Sequence, residues 1–248
     1  NQNMEYILAD IYRRKPEVAA FSCYIWNWNM IQDIITELPK VLPNIQIWLG
    51  GPEVSYNPKD VLKNFEWCDF VVSGEGEYPF AALCDAIESG ESLHIPGLCF
   101  KNGDEIIINE PYISKEEPPS PYCEEYFENL NGRIAYLETS RGCPFQCSYC
   151  LSSVEKKVRF RDVELVKSEL QQFIDWEIPQ VKFVDRTFNC KREHSMEILK
   201  FIQAQDKGKT NFHFEVTADL LTEEELDFMA TLRPGLIQLE IGVQSTCP

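Results

Sequence analysis

The chain holds 248 residues, 44% hydrophobic and 12% aromatic, enough to bury the cores of two ordinary domains or one large barrel. Its 40 Asp and Glu against 23 Lys and Arg leave a formal charge of −17, which argues against nucleic acid and against an anionic membrane surface as main partner, because both demand clustered basic residues. No apolar run approaches the ~20 residues that cross a bilayer and no signal-peptide pattern opens the chain, so the expectation is a cytoplasmic enzyme with a small-molecule or peptidic substrate.

The chain starts on a helix-like pattern of Met4, Ile7, Leu8 and Ile11. EVAAFSCY is an apolar run of strand length, followed by an amphipathic helix over about 29–41. NIQIWLGG is a second strand ending in glycines, and PKDVLKNF a short helix; CDFVVSGEGE is a third strand, and YPFAALCDAIES another helix. Strands alternating with helices imply a Rossmann-like, doubly wound parallel sheet whose ligands sit at the carboxyl ends of the strands. Ser22, the Gly50-Gly51 pair, and Gly74, Glu75 and Gly76 fall at those ends. PGLCFKNGDEIIINEP reads as a hairpin turning at Asn102-Gly103.

ISKEEPPSPYCEEYFENLNG is rich in proline and acid and lacks periodicity, so it is expected to link two domains. The domains are then 1–110 and 132–248, with the linker over 111–131. In the second, RIAYLETS, QVKFVDRTF, NFHFEVTA and GLIQLEIGVQS are strands. Helices over about 162–176, 192–205 and 222–232 separate them, the last opened by a capping box of Thr222 and Glu225. These strand–helix steps suggest the opening part of a (β/α) barrel, with its active site at the strand C-terminal ends. The sequence stops just past a strand, at GVQSTCP; with its equally abrupt start, it reads as a piece of a longer chain.

Of the ten cysteines, Cys23, Cys68, Cys84 and Cys99 are scattered singly through apolar segments, where a cysteine serves as a small buried hydrophobe. Cys123, Cys190 and Cys247 sit near turns. This is not the pattern of a secreted disulfide scaffold, and a reducing compartment follows. Cys143, Cys147 and Cys150 are different: they stand on one stretch, SRGCPFQCSYC, at spacings of x3 and x2. Structural zinc takes four protein ligands, commonly from two CxxC pairs, and the nearest histidine, His194, lies far along the chain. Gly142, Pro144 and Gln146 make the stretch a loop. Three thiolates so spaced suit three corners of a cubane 4Fe–4S cluster whose fourth iron is open to another ligand.

The stretch RGCPFQCSYC resembles the CxxxCxΦC signature loop of the radical S-adenosylmethionine (SAM) superfamily, with Tyr149 as the aromatic Φ. The resemblance covers the chain from about residue 133 onward and lacks the later barrel strands of that family. It implies an open iron that chelates SAM, and one electron from the reduced cluster that splits a carbon–sulfur bond to yield methionine and a hydrogen-abstracting 5′-deoxyadenosyl radical. It also implies an electron donor such as flavodoxin or ferredoxin. Carried onto this sequence, it makes Phe145 and Tyr149 SAM-contacting positions and puts Asp185 and Arg186 near the methionine amino group. Glu215 and Thr217, on one face by alternation, would approach the ribose or carboxylate, with Gln244, and less strongly Glu240, on the next strand.

In the first half, the glycine pairs are by themselves plain turn chemistry. Together, FSCYIWN, IWLGGPEVS and FVVSGEGEYPF are similar to the cobalamin-binding domain that precedes the barrel in one radical SAM class. That similarity implies that Ser22, Gly50, Gly51 and Pro52 line the nucleotide tail and lower corrin face. It implies also that Glu53, Gly74, Glu75 and Gly76 lie beside the domain junction. The DxHxxG loop that supplies a cobalt-binding histidine in the wider fold has no counterpart here, and His94 is elsewhere. Either that loop precedes this stretch, or cobalamin binds without histidine, or the domain keeps the fold and has lost the corrinoid. The tryptophans of YIWNWN could cover a ring, and are read first as packing at the domain junction. Two other readings compete with the radical enzyme: an iron–sulfur electron carrier or redox sensor, and a zinc-stabilised interaction module. No Walker loop or GxSxG elbow speaks for phosphoryl transfer or serine hydrolysis.

Overall fold

The computed structural model describes residues 3–154 and 157–243, which divide into two compact units at residues 118 and 119. In the first unit, α1 (Met4–Arg14) is capped by Asn3, whose side chain accepts from the Tyr6 N–H. Then follow β1 (Val18–Ser22), α2 (Trp28–Val41), β2 (Gln46–Gly50), the single turn α3 (Pro52–Ser55), α4 (Pro58–Asn64), β3 (Phe70–Val72) and α5 (Glu77–Ser89). The hairpin of β4 (Leu98–Asn102) and β5 (Glu105–Ile108) closes the sheet. Strand order is β1-β2-β3-β4-β5, parallel through β3 and antiparallel thereafter.

The sheet is apolar on both faces, as a helix-covered sheet must be. Ile47, Leu49 and Val71 pack with Ile31, Ile35 and Leu38 of α2 and Val61 and Leu62 of α4. Their strand neighbours Trp48 and Val72 point the other way, onto Leu83 and Ala86 of α5. Cys23, Cys68 and Cys99 are buried among these residues. Burial pushes the thiols of Cys23 and Cys68 up to about 12 and that of Cys99 to about 11, so they are inert packing groups.

The second unit begins at residue 119, so the larger half of the stretch expected to be a linker, residues 119–131, belongs to it. Within that half, α6 (Glu124–Glu128) buries Phe127, which stacks on Trp176 with ring centroids 5.3 Å apart, while Tyr122 meets Phe173 edge-on at 4.7 Å. Aromatic anchoring, invisible as periodicity, is what orders it. The strands β6 (Ala135–Leu137), β9 (Gln180–Phe183), β10 (Asn211–Val216) and β11 (Ile237–Ile241) form one parallel sheet in the order β11-β10-β9-β6. Helices α7 (Val163–Asp175), α8 (Arg192–Gln205) and α9 (Glu223–Ala230) connect them. Asp162 caps α7, and the Thr222–Glu225 capping box opens α9 as its sequence signature requires.

One face of this sheet is packed tight. Val181, Phe183, Phe212 and Phe214 meet Leu170 and Phe173 of α7 and Ile198, Leu199 and Ile202 of α8. The other face carries Tyr136, Lys182, His213, Glu215 and Glu240, the inward-pointing side of a barrel segment. A two-residue ladder of β7 (Ser140–Arg141) with β8 (Arg159–Phe160) stands apart and closes the base of the cysteine loop. The last strand is expected to run through Gln244, which lies outside the described residues, as do Cys247 and the rest of the C-terminus.

Candidate functional site

The cysteine loop leaves β6 and returns through β8, with Ser140 paired to Phe160 and Arg141 to Arg159. Gly142 can only be glycine: its φ is +95° and a Cβ would run into the Lys157 carbonyl. Beyond it, Cys143 and Cys147 are half-buried, Cys150 is exposed, and none is in a disulfide. The Cys150 N–H donates to the Cys147 carbonyl at 3.0 Å, a turn that puts both thiols beside Tyr149, whose ring is 76% exposed. Proximity of Cys147 holds the Tyr149 hydroxyl above its usual range. Phe145 is half-buried between the first two cysteines.

Among the described residues no three His, Cys, Asp or Glu side chains are gathered round a common point. The chemistry of the donors nevertheless fits an iron–sulfur cluster. Three thiols on one loop at a strand's carboxyl end are soft ligands, accessible from outside, and unlike the buried cysteines of the first unit.

Asp185 lies 0% exposed at the exit of β9, and both its oxygens are engaged. It accepts from the Thr139 N–H at 3.0 Å, the Thr139 hydroxyl at 2.7 Å and the Ser140 hydroxyl at 2.5 Å. Burial pushes its carboxyl up, against the effect of those hydrogen bonds. Its carboxylate thus holds the mouth of the loop. Arg186, next in the chain, is exposed. Thr217 lies just past β10, and its backbone is gripped on both sides by the buried Asn189, which accepts from its N–H at 3.0 Å and donates to its carbonyl at 2.9 Å. Asn189 gave no signal in the sequence.

Glu215 does face the inner side of the sheet, and it is not alone. Lys182 Nζ stands 3.2 Å from Glu215 and 3.0 Å from Glu240, and His213 Nε2 is 3.1 Å from Glu240. The hydrogen bond to Lys182 holds the Glu240 carboxyl below its usual range, and Glu240 raises Lys182 in turn. Lys182 and His213 are missing from the sequence expectations, although period-2 alternation through VKF and FHFEV marks them.

In the first unit, register aligns Ser22, Gly50 and Val72 across three strands, so every candidate position there lies along one sheet edge. The glycines have different duties. Gly51 (φ +98°) would place a Cβ 2.7 Å from the Cys23 carbonyl, and Gly74 (φ +87°) one 2.7 Å from the Tyr112 carbonyl. Their freedom serves close backbone packing within the protein. At Gly50 and Gly76 a Cβ would meet only Val72 at 3.8 and 3.9 Å. Pro52 begins the single-turn α3, Glu53 is exposed, and Glu75 accepts from the Ser114 N–H at 2.8 Å. Beside this edge Tyr24 and Trp26 stack with ring centroids 4.6 Å apart, and Trp26 is 77% exposed. Trp28 instead packs edge-on against Phe65 inside the first unit.

The comparisons with known proteins agree with both halves. The B12 binding domain matches residues 1–84, and the radical SAM superfamily matches residues 137–248. The chain belongs to the radical SAM superfamily. A B12 binding domain stands ahead of the radical SAM domain, and the cofactors of the pair are a 4Fe–4S cluster, SAM and cobalamin. An uncharacterized methyltransferase of Pyrococcus horikoshii is 30% identical over 83% of this chain and 46% of its own length. The 2-(S-pantetheinyl)-carbapenam-3-carboxylate methyltransferase of Streptantibioticus cattleyicolor is 27% identical over 70% of the chain and 28% of its own length. The radical SAM methyltransferase TsrM of Kitasatospora setae, solved with tryptophan and a SAM analogue, shares the fold with a TM-score of 0.73 at 18% identity, covering 98% of this chain and 51% of that one. This radical SAM chain thus spans about half or less of each of these three proteins. No helix among its described residues is long and apolar enough to cross a membrane.

Proposed function

We propose that this chain is the cofactor-binding part of a radical SAM enzyme that methylates a carbon of a small organic molecule. The observation that carries the proposal is the single loop bearing Cys143, Cys147 and Cys150 at the carboxyl end of β6, joined in one chain to a B12 binding domain. When bound, the cluster with SAM supplies reductive cleavage and hydrogen abstraction, and cobalamin supplies a methyl carrier. The protein's part is to bind and to orient. The three cysteines hold the cluster, Phe145 and Tyr149 flank it, and Glu215, held by Lys182, offers a carboxylate to the SAM ribose. Arg186, Thr217 and Gln244 complete the SAM surroundings. The sheet edge of Ser22, Gly50, Gly51, Pro52 and Glu53, with Gly74, Glu75 and Gly76, lines the corrinoid.

The named relatives are what favour methyl transfer over the ring formation named for a magnesium-protoporphyrin IX monomethyl ester cyclase of Cereibacter sphaeroides, which is 25% identical over 93% of this chain. A cytoplasmic location, where thiols stay reduced, suits three thiolate ligands, with flavodoxin or ferredoxin as electron source. The test is anaerobic reconstitution with iron and sulfide, then electron paramagnetic resonance of the reduced protein with and without SAM. A cubane signal that shifts on adding SAM is expected, along with retention of hydroxocobalamin through gel filtration. A signal indifferent to SAM would leave an electron carrier, and bound zinc in place of iron would leave an interaction module.

A further inference from the structure

Cys143 is framed by one segment, the exit of β9. Asp185 takes hydrogen bonds from Thr139 and Ser140, the residues that lead into the loop. Two positions on, Thr187 is 3% exposed; its Oγ1 donates to the Arg186 carbonyl at 2.8 Å and lies 3.7 Å from Cys143 Sγ, within reach of a second, shared hydrogen bond to sulfur. The contacts close a ring: from Asp185 to Ser140, along the chain to Cys143, across to Thr187, and back to Asp185. Thr139 is held from the far side as well, where its carbonyl accepts from the Arg161 N–H at 2.9 Å. A cysteine hung from a turn pinned on both sides has little freedom left, whereas Cys147 and Cys150 lie farther out on the loop.

We propose that the β9 exit is the positioning element of Cys143: Asp185 fixes the turn that carries it, and the Thr187 hydroxyl hydrogen-bonds its sulfur in the cluster-bound protein. The second part rests on the reading of Cys143 as a cluster ligand. A hydrogen bond to a ligating sulfur stabilises the more negative, reduced cluster, so it raises the reduction potential, and groups that orient ligands govern how firmly the metal is held. Both are positioning residues, acting through Cys143. This role also gives a reason for a carboxylate at residue 185, because only an acceptor with two oxygens can serve three donors from Thr139 and Ser140 at once.

The test compares wild type with Thr187→Val, which removes the hydroxyl at constant shape, Thr187→Ser, which restores it, and Asp185→Asn, which turns one of the two acceptor oxygens into a donor. Two properties are read. The first is alkylation of each thiol in the cluster-free folded protein, mapped by mass spectrometry under anaerobic conditions. Cys143 should react more slowly than Cys147 and Cys150, and Thr187→Val and Asp185→Asn should each speed Cys143 several-fold and leave the other two unchanged. The second is the reconstituted cluster. Thr187→Val should lower its midpoint potential, Thr187→Ser should restore it, and Asp185→Asn should retain iron against a chelator about tenfold less well. Cluster-loaded wild type together with unchanged potential and unchanged Cys143 alkylation in Thr187→Val would overturn the positioning role and leave the cluster reading standing. Wild type that takes up no iron, with Cys143 protection still lost in the variants, would sink the cluster reading and leave the positioning role standing. Should Asp185→Asn not fold, the Thr187 pair decides alone.

Discussion

Arg161 grips Glu169 in a two-bond fork, Nη1 to Oε2 at 2.8 Å and Nη2 to Oε1 at 2.9 Å, with the carboxylate wholly out of solvent. The same guanidinium donates to the Glu138 carbonyl at 2.9 Å, so α7 is tied through one arginine to the strand end that launches the cysteine loop.

Breaking that fork from one side is expected to be costly. Arg161→Met leaves Glu169 buried without its partner and should remove about 3–5 kcal/mol of stability, whereas Arg161→Met with Glu169→Leu should recover much of it. Urea unfolding of the three proteins measures this. Equal losses in the single and double variants would show that the pair has no such role.

Two neighbouring glycines should behave oppositely. Gly51→Ala must hold a left-handed backbone and push its Cβ onto the Cys23 peptide, so a loss of about 1–3 kcal/mol is expected. Gly50→Ala meets only Val72 at ordinary contact distance and should cost well below that. Thermal unfolding of the two variants side by side would expose an error in either direction.

His194 gives a pH signature. Burial, and then the neighbouring charge of Lys191, hold its ring below the ordinary value of 6.5 in the folded state. The unfolded chain therefore binds the proton more readily. The stability involved is fully present above about pH 6.5 and is lost as pH falls below it toward the depressed folded value. His194→Leu should flatten the fall in denaturant midpoint between pH 7.5 and 5.5 relative to wild type. A fall of the same steepness in both proteins would refute the assignment.

The cysteines should divide into two kinds by what their loss affects. Cys143→Ala, Cys147→Ala and Cys150→Ala are each expected to abolish the reconstituted cluster signal and to leave unfolding almost unchanged in the cluster-free protein. Cys68→Ala, at a wholly buried position, should keep the full iron content and lower stability by about 1 kcal/mol. Iron analysis with unfolding curves checks both halves, and iron loss in Cys68→Ala would contradict the division.

Much of this protein is legible without coordinates, because the signals concerned are local. The apolar runs that became β1, β2 and β10, the capping box of α9 and the x3-x2 spacing of the cysteines each lie within a few residues of chain, where steric and hydrogen-bonding rules act directly. The sheet of the first unit followed from strand and helix alternation for the same reason. What the sequence could not display are relations between distant residues. The oxygens of Asp185 are claimed by residues 45 and 46 positions away, and Gly51 and Gly74 owe their conformations to the backbones of Cys23 and Tyr112. The β7–β8 ladder is too short to leave a period, and Phe127 is ordered only by aromatic rings that folding brings to it. Sequence by itself determined the longer elements and the donor atoms. Which acceptors those donors are left facing was decided only by tertiary structure, because a buried polar group takes whatever partner the packed chain sets beside it.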